Sequence, residues 1–212
     1  LMPAPDFERF YADKADLGLN RVAADTCAGL IFVNFAREPE SLRTFLGPMA
    51  EALEAMPVAR ATTYSEYVYE IDANWKLTYD NFQENYHLRF IHPNTVGPGV
   101  GPDNPFGYPS STAFHGEHRT QTIWTNPDPS GQIKPSQLVA FTRAGARAQA
   151  DGLLGHPHAR DYFALFPNFF LLGTPNQHFL HTVFPIAADT SRGVIRLYWV
   201  GEDETAGVRY AR

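Results

Sequence analysis

The chain has 212 residues, of which 44% are hydrophobic, and this is enough apolar material for one sizeable core. Its formal net charge is -6 without any basic run, which argues against nucleic acid as a partner. No apolar run approaches about 18 residues and the first residues do not resemble a signal peptide, so we expect no membrane span. The single cysteine, Cys27, excludes an internal disulfide framework and a complete cysteine-ligated metal site within these residues, and it fits a reducing cytoplasm.

The first half of the chain predicts strands and helices in alternation. Alternating apolar residues indicate strands, whereas apolar residues spaced three and four apart indicate a helix. Ser41 is a suitable N-cap for the second helix, and Gly47-Pro48 would interrupt it. In chain order the predicted elements are a short helix over residues 6–15, strands over 19–25 and 29–35, a helix over 41–56 and a strand over 64–72.

The second half of the chain predicts mainly antiparallel strands. Its first part, residues 93–109, holds five prolines and four glycines, which indicates a long loop that could serve as a lid. The whole order predicts an α+β fold in which a long helix packs on an antiparallel sheet. The remaining predicted elements are one or two strands over 111–125, a partly helical insertion over 131–155, and strands over 166–174, 176–187 and 192–201, with turns at Pro175-Asn176 and residues 189–193.

One segment, residues 74–93, places two imidazoles and two carboxylates among aromatic side chains. Asn74 is a suitable N-cap for a helix that starts at the next residue. Asp80, Glu84 and His87 follow at steps of four and three, and would form one stripe on that helix. A carboxylate one turn from a histidine can accept a hydrogen bond from one ring nitrogen, which leaves the other nitrogen free to bind a metal. A neighbouring apolar stripe would face the core, and it comprises Trp75, Tyr79, Phe82, Tyr86 and Phe90.

The second imidazole, His92, does not fit a regular helix beside His87. Five residues along an ideal α-helix turn the chain by about 500°, so the two side chains would diverge by about 140°. Two ligands of one ion therefore require the helix to bulge or end between them, and a π-type turn would bring such residues together. Pro93 also disfavours helical backbone at His92.

Two imidazoles suit zinc, copper, nickel or iron, and with a carboxylate they form the facial triad of non-haem iron(II) oxygenases. These residues leave three functions open. The first is an oxygenase, the second is a ligand-binding module without metal in which the histidines are incidental, and the third is another metalloenzyme such as a zinc hydrolase. The histidines could also be ordinary polar residues at a helix end.

The pattern "NWKL..DNFQENYH....HP" resembles the mononuclear iron segment of the large subunits of Rieske-type ring-hydroxylating oxygenases. The resemblance implies a helix-grip (START-like) catalytic domain in which His87 and His92 bind iron(II). It implies that Glu84 is a bridging acid, which links the iron site to a cluster-binding histidine of a neighbouring subunit, and that Asn81 lies close to the iron. A glutamate at this position, where many relatives have aspartate, is typical of members that oxidise quaternary amines. An aromatic lining would suit such cations through cation–π contact, but it would suit arenes equally well.

The resemblance also implies components that these residues do not supply. The family's two-iron two-sulfur Rieske cluster needs cysteine–histidine motifs that are missing here, so we expect the cluster in a part of the protein outside this chain. We expect residues 1–35 to be the tail of the Rieske domain and linker, and residues 36–212 to be a C-terminally truncated catalytic domain. The third iron ligand would be an Asp beyond residue 212, with Asp203, Glu202 and Glu204 as weaker candidates. The resemblance further implies that the protein uses dioxygen and a small organic substrate. It also implies electrons from NAD(P)H through a separate reductase or ferredoxin, and a homotrimer.

The other histidines are weaker candidates for ligands. His115 and His118, like His178 and His181, are spaced by three, which on a strand places the two members of a pair on opposite faces. Neither pair therefore predicts a chelate. His178 or His181 could still line the cavity, since both lie in an aromatic strand.

Overall fold

The computed structural model describes residues 7–9, 11, 13, 17–93, 104, 107–124, 159–173 and 177–200. Several predicted features lie outside these residues. They are most of the helix over 6–15, most of the loop over 93–109, the insertion over 131–155, the turn at Pro175-Asn176, and the weaker ligand candidates Glu202, Asp203 and Glu204.

Within the described residues the chain forms short helices and two antiparallel sheets. The helices are α1 (Leu42–Leu46), α2 (Met49–Glu54), α3 (Trp75–Asp80) and α4 (Leu88–Ile91), with 3₁₀ turns at Phe7–Arg9 and Pro57–Arg60. The strands are β1 (Ala23–Cys27), β2 (Leu30–Asn34), β3 (Ala61–Ile71), β4 (Ser111–His115), β5 (His118–Trp124), β6 (Ala159–Leu165), β7 (Phe169–Gly173), β8 (Gln177–Ala187) and β9 (Thr190–Val200).

The larger sheet runs in the order β3-β9-β8-β7-β6-β5-β4, and every neighbouring pair in it is antiparallel. This order confirms the predicted α+β class and its helix-grip-like antiparallel sheet, including the three consecutive strands β7, β8 and β9. Residues 111–125 form two strands rather than one. The sequence does not predict β6, because that strand places the charged residue Asp161 in a buried position, where its carboxylate accepts a hydrogen bond of 2.8 Å from the Thr122 hydroxyl.

Helices α1 and α2 cover one face of the larger sheet and close the main core. Ser41 caps α1 as predicted, since its side chain accepts a hydrogen bond of 3.0 Å from the Thr44 amide. The predicted helix divides at Gly47-Pro48, because Gly47 has a φ of 53° and ends α1 before α2 begins. The buried apolar side chains that meet here are Leu46, Met49, Leu53, Met56, Val58, Phe163, Leu165, Leu171 and Leu180.

The smaller sheet is the β1–β2 hairpin, which packs its inner face on the same core. Its two-residue turn has φ angles of 52° at Ala28 and 78° at Gly29, and positive φ at both positions is typical of the type I′ turn that suits hairpins. Gly29 also lies so close to Ala59 that a side chain would contact it at 2.9 Å. The single cysteine, Cys27, is buried at the end of β1, and burial raises the pKa of its thiol.

Helix α3 lies on the opposite face of the larger sheet, across β8 and β9. Asn74 caps it as predicted and also donates from its side-chain amide to the Ala188 carbonyl at 2.6 Å. The Thr78 and Ser191 hydroxyls share a buried hydrogen bond of 3.0 Å. The Tyr79 hydroxyl donates to the Phe169 carbonyl at 3.1 Å, so α3 is fixed to three strands or their turns.

The prediction that one helix runs from Trp75 as far as His87 is wrong, because α3 ends at Asp80 and α4 begins only at Leu88. The last turn tightens, since the Gln83 amide donates to the carbonyl of Asp80, three residues back, at 2.8 Å. Asn85 is buried and donates from its side chain to the Gly107 carbonyl at 3.3 Å. This contact with a residue far along the chain draws the backbone away from a helical path.

The predicted apolar stripe is correct only in its first part. Phe82 packs against Phe170 and Phe179 of the sheet, with ring centroids 5.9 and 5.7 Å away. Tyr86 and Phe90, by contrast, are each 59% exposed, because the chain no longer follows a single helix when it reaches them.

Candidate metal centre

The two candidate ligands flank the short helix α4. His87 is its N-cap residue, and His92 is its C-cap residue with φ -120° and ψ 44°. The two imidazole centroids are 5.5 Å apart, and the ring planes are inclined by 70°. The rings therefore converge although the sequence places them on different sides of an ideal helix. The helix ends between the two ligands, since His92 has left helical backbone at the end of α4, and no π-type turn is needed inside the helix.

Glu84 contacts His87 through both oxygens of its carboxylate. One oxygen pairs with Nδ1 of the ring, and the other accepts a hydrogen bond of 3.2 Å from the His87 backbone amide. A carboxylate acceptor requires a proton on Nδ1, so this contact selects the tautomer in which Nε2 carries a lone pair. The arrangement matches the prediction that a carboxylate one turn away would leave one ring nitrogen free.

The distances test whether this pair could hold one ion. An imidazole nitrogen binds a first-row metal at about 2.0–2.1 Å, so two rings on one ion have centroids no more than about 6–7 Å apart. The observed 5.5 Å satisfies this limit. Neutral imidazole is a suitable ligand for iron as well as for zinc, copper and nickel. The pair thus fits two positions of a mononuclear site, with Nε2 of His87 as one donor.

A complete ligand set is not found in the described part of the chain. Among those residues, no group of three or more His, Cys, Asp or Glu side chains could hold a metal ion. Asn81 is the C-cap residue of α3 and has an exposed side chain, and Asp80 is also exposed.

An aromatic cluster lies on the same face of the sheet as α3. Phe82, Phe170 and Phe179 pack around His181, whose ring centroid is 4.4 Å from that of Phe82. The Tyr69 hydroxyl is 2.8 Å from Nε2 of His181. Sequence periodicity missed Tyr69 as a partner because the two residues are 112 positions apart.

Gly193 makes the contact between Tyr69 and His181 possible. Tyr69 is the cross-strand partner of Gly193, and its ring occupies the space that a side chain at Gly193 would need. The absence of a side chain lets the tyrosine ring lie across β9 and reach β8. This close approach explains a glycine in the middle of an 11-residue strand.

Of the two remaining histidine pairs, one is arranged as predicted and the other is not. His115 and His118 flank the turn of the β4–β5 hairpin and are cross-strand partners, so they do not lie on opposite faces of one strand. His118 is buried with both nitrogens engaged, by the Phe45 carbonyl at 2.9 Å and the Phe166 amide at 3.2 Å. His178 and His181 lie on opposite faces of β8 as predicted, and both are buried.

Burial lowers the pKa of both His178 and His181 to about 4 from the ordinary value of 6.5, with the charge of Arg60 as a smaller cause for His178. The exposed fractions are 1% for His178 and 0% for His181. Within the described residues, Nδ1 of His181 and both ring nitrogens of His178 have no hydrogen-bond partner. Both rings are therefore neutral in the folded protein above about pH 4.

We expect the free energy of unfolding to fall as the pH falls from 6.5 to 4. In this window the unfolded chain binds protons at both histidines while the folded chain does not, which costs roughly 3 kcal/mol per histidine. Urea unfolding at several pH values measures the slope. His181→Gln should remove about half of this contribution. Val183→Ala, on the same strand and equally buried, should lower stability but leave the slope unchanged, and an equal slope in the His181 variant would contradict the account.

Comparison with known proteins assigns the chain to a family. The family model described as "Ring hydroxylating alpha subunit (catalytic domain)" matches residues 58–212. The oxygenase subunit of glycine betaine monooxygenase from Pseudomonas aeruginosa is 30% identical over 84 residues, which are 40% of this chain and 20% of that protein. The alpha 2 subunit of the terminal oxygenase component of terephthalate 1,2-dioxygenase from Comamonas sp is 25% identical over 80 residues, 37% of this chain and 19% of that protein.

Solved structures share the fold over nearly the whole chain. The quaternary ammonium Rieske monooxygenase CntA superposes with a TM-score of 0.74 at 21% identity, covering 99% of this chain and 51% of that one. Naphthalene 1,2-dioxygenase superposes with a TM-score of 0.66 at 21% identity, covering 97% of this chain and 50% of that one. The chain thus spans about half the length of these structures and about a fifth of the curated relatives.

The chain belongs to the family of ring-hydroxylating oxygenase alpha subunits, and the family's catalytic-domain model matches residues 58–212. This confirms the resemblance that the segment from Asn74 to Pro93 indicates. In the described part of the chain, no helix has the length and apolar character needed to cross a membrane.

Proposed function

We propose that this chain is the catalytic domain of a Rieske-type oxygenase that uses mononuclear non-haem iron(II). The observation that carries the proposal is the convergence of His87 and His92, with ring centroids 5.5 Å apart, beside a carboxylate that holds His87 in one tautomer. Iron(II) with open coordination positions would supply the activation of dioxygen for oxidation of an organic substrate.

Each residue around the pair has a distinct task in this proposal. His87 and His92 bind the ion through ring nitrogens, and Glu84 orients His87 through its ring and its backbone amide. Phe82, which precedes this group in the chain, belongs to a packed aromatic cluster that keeps water away from the sheet face. Asn81 is proposed as a residue close to the iron.

The electrons are proposed to come from a Rieske cluster outside this chain. Glu84 is 48% exposed on its side chain, so a group on another subunit can reach it while it holds His87. Residues 1–35 would be the tail of the Rieske domain and residues 36–212 the catalytic domain. The proposal includes NAD(P)H oxidation by a separate reductase or ferredoxin system, a homotrimer and a cytoplasmic location.

The proposed substrate is a small organic molecule, with quaternary amines favoured over arenes. Three of the curated relatives are named as glycine betaine monooxygenase subunits, and one is named as a terephthalate dioxygenase subunit. Glu84 occupies the position at which a glutamate is typical of members that oxidise quaternary amines. Oxygen uptake by the full-length protein with glycine betaine or carnitine, compared with terephthalate, distinguishes the two classes.

Metal analysis of the full-length protein tests the proposal against the other functions. We expect one iron per chain beyond the two of the cluster, after anaerobic purification. Zinc in that position, with activity that needs no reductase, would indicate a hydrolase instead. Absence of any such metal, with ligand binding unchanged in His87→Ala, would indicate a binding module.

A further inference from the structure

The segment that carries Glu84 and His87 has no regular secondary structure of its own. It runs from Asn81 to His87, between the end of α3 and the start of α4, and most of it forms turns. A metal site needs its ligands held to a fraction of an ångström, and loops provide less precision than helices or strands. The positions of Glu84 and His87 therefore depend on contacts from elsewhere in the protein.

Arg119 of β5 makes one such contact. Its Nη2 donates to the main-chain carbonyl of Gln83 at 2.7 Å and to the Oε1 atom of the same residue at 2.8 Å. Gln83 immediately precedes Glu84, so one guanidinium nitrogen fixes both the backbone and the side chain next to the carboxylate.

The contact also determines the orientation of the Gln83 amide. A guanidinium only donates hydrogen bonds, so the amide must turn its oxygen toward Arg119. Its nitrogen is then buried, and it has no hydrogen-bond partner among the described residues. Nothing else in that part of the chain fixes the amide, and its orientation depends on the arginine.

The location of Arg119 adds to the argument. The side chain is partly buried, and burial lowers its pKa, while the nearby Tyr79 and Asp80 oppose that change. Placing a cation out of water is costly unless it gains good hydrogen bonds. Both of its hydrogen bonds described above go to Gln83, and this is the expected pattern for a residue that holds one particular stretch of backbone.

We infer that Arg119 is a positioning residue for the metal centre, acting through Gln83 on Glu84 and His87. The inference rests on the proposed function, because it assumes that His87 binds iron. It assigns a role to a residue of the sheet that lies 32 positions from His87 in the sequence.

The test measures iron(II) affinity in the full-length protein by anaerobic calorimetry, after the mononuclear site has been emptied with a chelator. We expect Arg119→Gln to weaken iron binding by about 10- to 100-fold, the range typical of residues outside the ligand set. Arg192→Gln is the matched control, since Arg192 of β9 forms an exposed ion pair with Glu70 of β3. It should leave the affinity within about twofold of the wild type. Arg119→Lys should give an intermediate affinity.

A second measurement separates positioning from general loss of stability. Gln83→Met removes the side-chain amide but keeps the main-chain carbonyl, so it should weaken iron binding by a few-fold in the wild type and by nothing further in Arg119→Gln. The electron paramagnetic resonance spectrum with nitric oxide as a probe should change in the Arg119 variants but not in Arg192→Gln. If Arg119→Gln fails to fold, Arg119→Lys and Gln83→Met supply the same comparison.

The possible failures are distinguishable. A wild type that binds no iron at this site would overturn the proposed function and, with it, the inference. A wild type that binds iron, with equal affinity and an unchanged spectrum in Arg119→Lys, Arg119→Gln and Gln83→Met, would overturn the inference alone.

Discussion

Replacement of His87 by alanine is expected to remove the mononuclear iron and stop substrate oxidation. His87 supplies one of the two imidazoles that converge at 5.5 Å, and its Nε2 is the nitrogen left free by Glu84. Even partners outside the ligand set cost 10- to 100-fold in metal affinity, so loss of a ligand should cost more than about 100-fold. His92→Ala should have the same effect. Calorimetric titration with iron(II) measures the affinity.

His115→Ala is the control for the two ligand variants. His115 lies at the turn of the β4–β5 hairpin, where its Nε2 is 3.1 Å from the Thr120 hydroxyl. We expect this variant to keep its iron. Retention of full iron affinity in both His87→Ala and His92→Ala would contradict the assignment of the pair as ligands.

Replacement of Glu84 by glutamine is expected to keep most of the iron but lower coupled turnover by about 100-fold or more. Glutamine has the same shape and still offers an oxygen to the His87 backbone amide. It lacks the negative charge that accepts the Nδ1 proton strongly, and it cannot act as a carboxylate bridge to a neighbouring histidine. Iron content and substrate oxidation, measured on the same preparation, separate the two effects.

Two further variants serve as a conservative replacement and a control for Glu84→Gln. Glu84→Asp restores the acid that many members of the family have, so it should recover part of the turnover that Glu84→Gln loses. Glu66→Gln removes a carboxylate that pairs with Arg196 on the exposed face of β9, at 2.6 Å, and it should leave turnover unchanged. If Glu84→Gln loses iron as completely as His87→Ala, the acid is a determinant of metal binding rather than a bridge.

The strands that could be predicted from the sequence are those with a clear run of apolar and aromatic residues. Runs of apolar and aromatic residues bounded by turns form β3, β7, β8 and β9, and such runs can be recognised in the sequence alone. β6 lacked this signal because Asp161 within it is charged, and its burial depends on the Thr122 hydroxyl from another strand. A partner 39 positions away cannot be inferred from periodicity.

The sequence predicted that the rings of His87 and His92 converge, but it did not predict the path of the chain before His87. The spacing of Glu84 and His87 correctly suggested a carboxylate bonded to one ring nitrogen, and Pro93 correctly suggested that the helix could not continue past His92. The earlier interruption between α3 and α4 was missed, and in that segment Gln83 contacts Arg119 and Asn85 contacts Gly107. Local helix propensity contains no information about such distant partners.

Anomalous X-ray diffraction at the iron edge tests most directly whether His87 and His92 share a metal. Crystals of the full-length protein should show one anomalous peak within about 2.0–2.3 Å of Nε2 of His87 and of a ring nitrogen of His92. The irons of the two-iron two-sulfur cluster will give peaks of their own elsewhere. The absence of a separate peak between the two rings, in protein that turns over substrate, would contradict a shared metal.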